Sequence, residues 1–357
     1  MIAILNDSFF ATDHRLTNYL QIALEKNPRA TEPIRKKVIS FISTYVETHH
    51  SYMVEHVKKL FAQLLSQFWK EEGRIKEISL RPIVSIIETY DEEFLRLTEV
   101  VNPPKLHHDV MTLLQQNQRM TPGVAGECWH LLAVIQNKFA TEIDPNEKKT
   151  VQIQAFTELK KYVDKDTNLN TIAALLRSLA KSLKENYLND ETIRELYTYV
   201  SALIMPLKPT YTVNLAALEL LETRLEIFKE YVLGSKPEAL FNNLRDYTTH
   251  KNRDFSLKSL EVMISLTEMF VKEMLKKPEK HQKLFSFIND KVNNDLSNHS
   301  NKNKEEANSE DKKGFSLLTV VRLIGLMAPV YLEYQGIAYY KKIFNYIIKK
   351  CTRKIML

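Results

Sequence analysis

The sequence predicts an all-α fold, in which pairs of helices stack side by side into an α-solenoid that curves as a superhelical arc. Three observations lead to this prediction. Apolar residues recur with a helical period along most of the chain, helix starts recur at a regular interval, and only 7 glycines occur in 357 residues. Because strand turns and phosphate-cradling loops depend on glycine, β-sheets and nucleotide loops are disfavoured.

The apolar residues of individual segments fall on one face of a helix. One such stripe, with steps of three and four residues, consists of Val54, Val57, Phe61, Leu64 and Phe68. Similar stripes run through residues 218–232 and 257–274. Alternation with a period of two, which would indicate strands, is absent over any useful length.

Helices are expected to begin at capping residues or at prolines of the first turn. Twelve starts are predicted near Thr31, Ser51, Ser79, Thr121, Asn170, Asn189, Thr212, Pro237, Asp254, Pro278, Phe315 and Ile337. Pro33, Pro82 and Pro122 would then lie in first turns, where the missing N–H costs nothing. If the starts at Ser79, Thr121, Asn170, Thr212 and Asp254 are taken as alternate helices, they recur at about 42 to 49 residues, which is the HEAT and armadillo range.

The next start, at Phe315, comes about 18 residues late on that period. Residues 297–313 account for the delay, since they are polar and contain no large apolar side chain. We therefore expect HEAT-like repeats over residues 1–296, a disordered polar loop inside a repeat over 297–313, and a final basic helix pair over 314–357. That pair is expected to be the truncated end of a longer solenoid.

Charge and cysteine content narrow the functional classes. The formal net charge of +6 equals the excess within residues 314–357, where seven cations face the single acid Glu333. The two cysteines are far apart, as expected in a reducing compartment. The apolar run 315–332 contains Arg322 and Pro329, so we expect a buried helix and no membrane contact.

Catalytic and metal-binding signatures are missing. The chain contains no G-x-G-x-x-G, Walker, H-R-D or D-F-G motif, and Gly123 and Gly126 are best explained as a turn. Cys128 and His130, two residues apart on a helix, point in different directions and cannot form a nucleophile pair. The histidines show no H-E-x-x-H spacing. We therefore expect no catalytic residue, no metal, no cofactor and no small-molecule substrate in this chain.

Basic residues of the last helices form the candidate surface for nucleic acid or a protein partner. They are Lys276, Lys277, Lys280, Lys283, Lys341, Lys342, Lys349, Lys350, Arg353 and Lys354, and Lys272 lies close before them in the sequence. In the last helix we expect Tyr340, Ile343, Phe344, Ile347 and Ile348 to face inward. Such a surface can bind phosphate backbones or acidic segments, but lysines also simply keep repeat proteins in solution.

One stretch carries a family resemblance. Ser316-Leu-Leu-Thr-Val-Val-Arg322-Leu-Ile-Gly325-Leu326-Met-Ala328-Pro329 resembles a helix in the N-terminal HEAT region of the DNA-dependent protein kinase catalytic subunit, of the PI3K-related kinases. Phe344-Asn-Tyr-Ile-Ile-Lys-Lys-Cys351-Thr-Arg353-Lys354 is similar to the next helix of that family. Asp13–Leu16, Asn170–Leu183 and Lys258–Phe270 follow the family's helices in the same order.

This resemblance implies a function. The family is a large nuclear serine/threonine kinase that the Ku heterodimer recruits to double-stranded DNA ends for non-homologous end joining. Its N-terminal arm forms part of a cradle around DNA and Ku, and its kinase domain lies at the far C-terminus. The resemblance therefore implies a nuclear, non-catalytic scaffold that contacts Ku, DNA ends and further repeats of a longer parent.

A second hypothesis keeps the fold and omits DNA. A HEAT-repeat adaptor of the transport-receptor or phosphatase-scaffold type would use the same stacked helices to bind proteins only. The two hypotheses differ in whether the exposed lysines contact phosphate.

Overall fold

The structure, a computed structural model, describes residues 31–54, 56–116, 120–163, 165, 168–204, 211–301 and 317–355. These residues form fifteen α-helices and contain no β-strand, so the all-α prediction is confirmed. The chain divides into two compact units, of which the first ends at Asn189 and the second begins at Asp190.

The first unit contains eight helices within the described residues. They are α1 (Glu32–Met53), α2 (Val57–Lys70), α3 (Gly73–Thr89), α4 (Glu92–Leu97), α5 (Pro103–Gln116), α6 (Pro122–Lys138), α7 (Pro145–Val163) and α8 (Leu169–Ser182). Helices α1, α3, α6 and α8 lie side by side, each packed against the next. Helices α2, α5 and α7 form a second layer on α3, α6 and α8, respectively. This two-layer stack of helix pairs is HEAT- and armadillo-like solenoid packing.

The side-by-side layer explains the sequence period. Its helices begin at Glu32, Gly73, Pro122 and Leu169, so successive starts are 41, 49 and 47 residues apart. Helix α6, with neighbours on both sides and a second layer behind, buries nearly every residue from Val124 to Gln136. No helix of this layer can cover its apolar surface alone, and each is stable only when its neighbours cover it.

The second unit contains seven helices within the described residues. They are α9 (Asp190–Ile204), α10 (Tyr211–Thr223), α11 (Leu225–Gly234), α12 (Pro237–Tyr247), α13 (Arg253–Lys276), α14 (Pro278–Asn301) and α15 (Leu317–Ile355). Helices α10, α13 and α15 lie side by side, and α9, α11, α12 and α14 follow one another in the other layer. Phe228, Phe241 and Phe270 are fully buried in this unit, and each such side chain contributes roughly 2–3 kcal/mol.

Most predicted helix starts agree with the structure, but two are wrong. Ser51 lies inside α1, and Ser79 lies inside α3, which begins six residues earlier at Gly73. Pro82 is therefore an interior proline rather than a first-turn residue. The stripe through residues 218–232 spans two helices, because the chain breaks at Arg224. No predicted start corresponds to the beginning of α2, α4, α5, α7 or α11.

Helix α15 bends at Gly336, whose backbone has φ 75° and ψ 168°. The predicted start at Ile337 coincides with the residue after this kink. The predicted loop begins inside α14, because that helix continues to Asn301, and residues 302–313 lie outside the described part of the chain. The loop therefore stays a prediction.

Gly336 and Gly325 form a matched pair of test positions in α15. A Cβ at either would meet no atom within 4 Å, so only the backbone distinguishes them. Since the kink requires a conformation nearly exclusive to glycine, we expect Gly336→Ala to cost about 1–3 kcal/mol. Gly325→Ala, in regular helix, should stabilise by about 0.5–1 kcal/mol. Urea unfolding of both variants measures this, and equal effects would contradict the kink.

Candidate functional site

Four of the candidate lysines, together with Lys272, surround the corner between α13 and α14. Lys272 and Lys276 lie in the last two turns of α13, Lys277 follows its end, and Lys280 and Lys283 lie one turn apart on α14. All five are exposed. Cations near the C-terminus of a helix are favoured, because the unpaired carbonyls there carry partial negative charge. Lys276 and Lys277, at the C-terminal end of α13, therefore interact favourably with the helix dipole.

One buried carboxylate partly neutralises this corner. Glu273 Oε1 lies 2.6 Å from Lys229 Nζ and 3.1 Å from Lys276 Nζ. The hydrogen bond from Lys229, with a second from Lys276, holds the pKa of Glu273 below its ordinary value. Within the described residues no carboxylate forms an ion pair with Lys277, Lys280 or Lys283. In this part of the chain the three ammonium groups are exposed and are not neutralised by a neighbouring acid.

Two tyrosines fix α15 against the corner and against α14. The hydroxyl of Tyr334 lies 3.1 Å from the Met274 carbonyl oxygen and 2.8 Å from that of Pro278. After the kink, the Tyr339 hydroxyl donates to Asn289 Oδ1 at 3.1 Å and accepts from Asn293 Nδ2 at 3.0 Å. The second half of α15 thus runs along α14 in a defined register.

The second half of α15 exposes more than positive charge. Lys341 and Lys342 are exposed, and Ile343 is buried, as expected. Phe344 and Ile348, however, are 48% and 44% exposed, so the prediction that they face inward is wrong. The helix turns only a narrow face to α14, so positions one residue away from the Ile343 line reach solvent.

The remaining basic candidates belong to the same helix. The side chains of Lys349, Lys350, Arg353 and Lys354 lie outside the described part of the chain, although α15 extends to Ile355. The candidates thus occupy two consecutive places, the α13–α14 corner before the kink and the second half of α15 after it.

The structure also brings together charged residues that were not among the predicted site residues. In the first unit, Arg81 Nε on α3 donates to Glu127 Oε1 on α6 at 3.2 Å. Burial opposes ionisation of Glu127, but His130, Arg81 and Arg177 outweigh it and hold its pKa below the ordinary value. Arg177 belongs to α8, so three neighbouring helices contribute to one cluster. One sequence signal was available, since Arg81 is charged in an otherwise apolar stretch of α3.

The residues considered for nucleophilic chemistry are structural. Cys128 is fully buried, and burial raises the pKa of its thiol far above the ordinary value. His130 Nδ1 lies 3.8 Å from Glu127 Oε2, so its nearest charged neighbour is a carboxylate and not the thiol. Gly126 lets α6 approach α8, because a Cβ there would lie 3.2 Å from the Thr171 methyl group.

His107 likewise has structural surroundings. His107 is buried, its Nε2 lies 2.9 Å from Gln136 Nε2, and burial lowers its pKa to about 4. The described residues contain no group of three His, Cys, Asp or Glu side chains suited to a metal ion. Nor does this part of the chain contain a helix long and apolar enough to cross a bilayer.

Comparison with known proteins places the chain in a family. Residues 4–320 match the model of the family described as DNA-PKcs, N-terminal. The chain belongs to this family. The matched range includes the α13–α14 corner and ends near the start of α15, so Lys341 and the basic residues after it lie beyond it. The chain is therefore a helical scaffold region of the DNA-PKcs N-terminal type.

Other comparisons add less. No curated protein matches the sequence. Among solved structures, the chain is similar to a designed armadillo repeat protein, YIII(Dq)4CqI, with 14% sequence identity and a TM-score of 0.35. That similarity covers 70% of this chain and 98% of the designed protein.

Proposed function

We propose that this chain is the N-terminal helical arm of a nuclear DNA-dependent protein kinase. In this proposal it acts without catalysis in Ku-dependent recognition of DNA double-strand breaks during non-homologous end joining. The observation that carries the proposal is the family match over residues 4–320. The serine/threonine kinase activity belongs to the parent protein, outside the helical region, and the arm contributes surface to Ku and DNA ends.

The exposed lysines are the proposed DNA contacts. Lys277, Lys280 and Lys283 have no ion-pair partner within the described residues, and Lys341 and Lys342 are exposed on the following element. Lysines that contact the phosphate backbone contribute affinity without reading sequence. The proposed binding is therefore independent of base sequence, as a protein that must accept any broken end requires.

Salt dependence tests direct DNA contact. If about four phosphates are engaged, the logarithm of the binding constant for a blunt duplex should fall with log salt at a slope of about −3.6. Lys341→Gln/Lys342→Gln should reduce that slope by about 1.8 and weaken all duplexes alike. The double variant Lys105→Gln/Lys149→Gln removes the same charge from exposed positions of the first unit and should leave the slope unchanged. Affinity that barely changes with salt would contradict direct contact.

A second candidate function is a protein-binding adaptor without DNA contact. The specific observation in its favour is the exposed apolar line of Ile337, Phe344 and Ile348, which are 62%, 48% and 44% exposed. These positions are spaced by seven and four residues and share one helix face, as a packing partner helix requires. Binding of purified Ku only when duplex ends are present favours the first function. Binding of transport or phosphatase partners without DNA favours the second.

A further inference from the structure

Three neighbouring helices of the first unit share an unusual charge pattern. Helices α3, α6 and α8 together carry six cations and only three carboxylates. Glu77 and Glu127 are buried, so Glu88 is the one carboxylate of these helices that is exposed. All six cations retain solvent exposure: Arg74, Lys76, Arg81, Lys138, Arg177 and Lys181. These three helices therefore carry a formal net charge of +3, six cations minus three carboxylates.

The cations occupy the few positions of these helices that reach solvent. On α8, Arg177 and Lys181 are the only residues between Thr171 and Ser182 that are not buried, and they lie one turn apart. On α3, Arg74 and Arg81 are spaced by seven residues along the same face. Most other residues of each helix are buried against neighbouring helices. The charged side chains of these three helices that reach solvent are mainly lysines and arginines.

Carboxylates of the same helices hold three of these side chains in place. Glu127, 4% exposed, accepts from Arg81 Nε, and the charge of Arg177 also stabilises its ionised form. Lys181 Nζ lies 2.8 Å from Glu88 Oε1, which joins α8 to α3. Replacing a buried ion pair with apolar side chains is often neutral or stabilising. The pairing of Glu127 is therefore better explained by the positions it gives to the guanidinium groups.

The Arg81 side chain is oriented by Glu127 through Nε, and its terminal NH groups point to no acceptor in the described part of the chain. Its one hydrogen bond within the described residues uses Nε, which leaves the terminal NH groups for a ligand. The planar guanidinium fork matches the two oxygens of a carboxylate, and such charge-assisted pairs are short and strong. A guanidinium oriented by a buried acid also loses little side-chain entropy on binding.

We propose that the α3–α6–α8 layer binds an extended acidic peptide segment, with Arg81 and Arg177 as its anchors. This goes beyond the proposed function, which puts DNA contacts on the second unit. Two helix spacings of 8–10 Å separate α3 from α8, and an extended chain of about six residues spans that distance. A peptide can set a neutral residue opposite Glu88, whereas the regular phosphates of a duplex would bring negative charge against it.

The test is the affinity of the full chain for a fluorescein-labelled peptide of about eight alternating Asp and Ser residues, long enough for the layer. Anisotropy titration should show Arg81→Gln/Arg177→Gln binding at least about tenfold more weakly. Lys105→Gln/Lys149→Gln, with the same loss of charge at exposed positions outside these three helices, should bind as the unmodified chain does. Unchanged affinity of the arginine variant overturns the proposal.

Three further measurements distinguish loss of the binding site from unfolding and from nucleic-acid binding. Removing both arginines leaves the buried Glu127 carboxylate with His130 as its remaining charge partner. A triple variant that adds Glu127→Gln removes this buried charge, should keep the layer folded and should show the same loss of affinity. A duplex of about 24 base pairs, which is effectively rigid because it is far shorter than the DNA persistence length of about 150 base pairs, serves as a second ligand. If the arginine variant loses the duplex as strongly as the peptide, the surface is a nucleic-acid site and the peptide proposal is wrong. Lys341→Gln/Lys342→Gln should leave peptide affinity unchanged, which separates this inference from the DNA proposal.

Discussion

Leu221→Asp is expected to unfold the second unit or to reduce its stability by several kcal/mol. Leu221 is 1% exposed on α10, a helix that packs against α9, α11 and α13. An aspartate there would have to be buried without a partner or stay neutral at a raised pKa, and either state is costly. Because each helix covers the apolar face of the next, the loss should spread to neighbouring helices.

Leu257→Asp is the matched control for this substitution. Leu257 lies on α13 of the same unit and is 47% exposed, so a charge there stays in water and should change stability by less than about 0.5 kcal/mol. Thermal unfolding followed by circular dichroism measures both variants. Hydrogen exchange should show lost amide protection in α10 and α13 for Leu221→Asp alone. A wild-type melting curve for that variant would mean that the apolar stripe is misassigned.

Helix starts were predictable where a cap or a proline coincides with the first turn. Thr121 is the N-cap of α6, and its side chain accepts from Val124 N. Pro237 and Pro278 open α12 and α14. These signals are local, since they depend on the four unpaired N–H groups at a helix start and on the fixed φ of proline. The 42-residue spacing from Tyr211 to Arg253 agrees with the predicted period.

The errors occur where tertiary packing outweighs local preference. Pro82 was placed in a first turn because proline is rare inside helices. In the structure it is buried in the middle of α3, with packing on several sides that offsets its missing hydrogen bond. The interruption of the helix at Arg224 could not be predicted for a different reason. The apolar residues before and after Arg224 follow the same helical period, so the sequence pattern shows no interruption.

The sequence predicts which lysines of the candidate site are exposed, but it does not predict which side chains lie together in space. The exposed lysines of the α13–α14 corner follow from the sequence, since lysine is rarely buried. The exposure of Phe344 does not, because an apolar residue next to Ile343 satisfies the same helical period. The Arg81–Glu127–Arg177 cluster joins residues 46 and 50 positions apart in the sequence. Only the stacking of α3, α6 and α8 brings them together.

A buried ion pair of the second unit is equally hidden in the sequence and has a large expected effect. Arg245 on α12 binds Asp295 on α14 through two hydrogen bonds, one of them from Nε to Oδ2 at 2.7 Å. The Asp295 side chain is 2% exposed and that of Arg245 is 15% exposed. The hydrogen bonds to Asp295 raise the pKa of the Arg245 guanidinium above its ordinary value. The pair connects two helices of the same layer.

Arg245→Met should therefore destabilise the second unit by about 3–5 kcal/mol, because the Asp295 carboxylate stays buried but loses both hydrogen bonds from Arg245. The double variant Arg245→Met/Asp295→Leu removes this buried charge as well and should recover most of that loss. Urea unfolding of the two single variants and the double variant completes a thermodynamic cycle. A double variant as unstable as Arg245→Met would show that the cost arises from lost packing of the arginine and not from the stranded carboxylate.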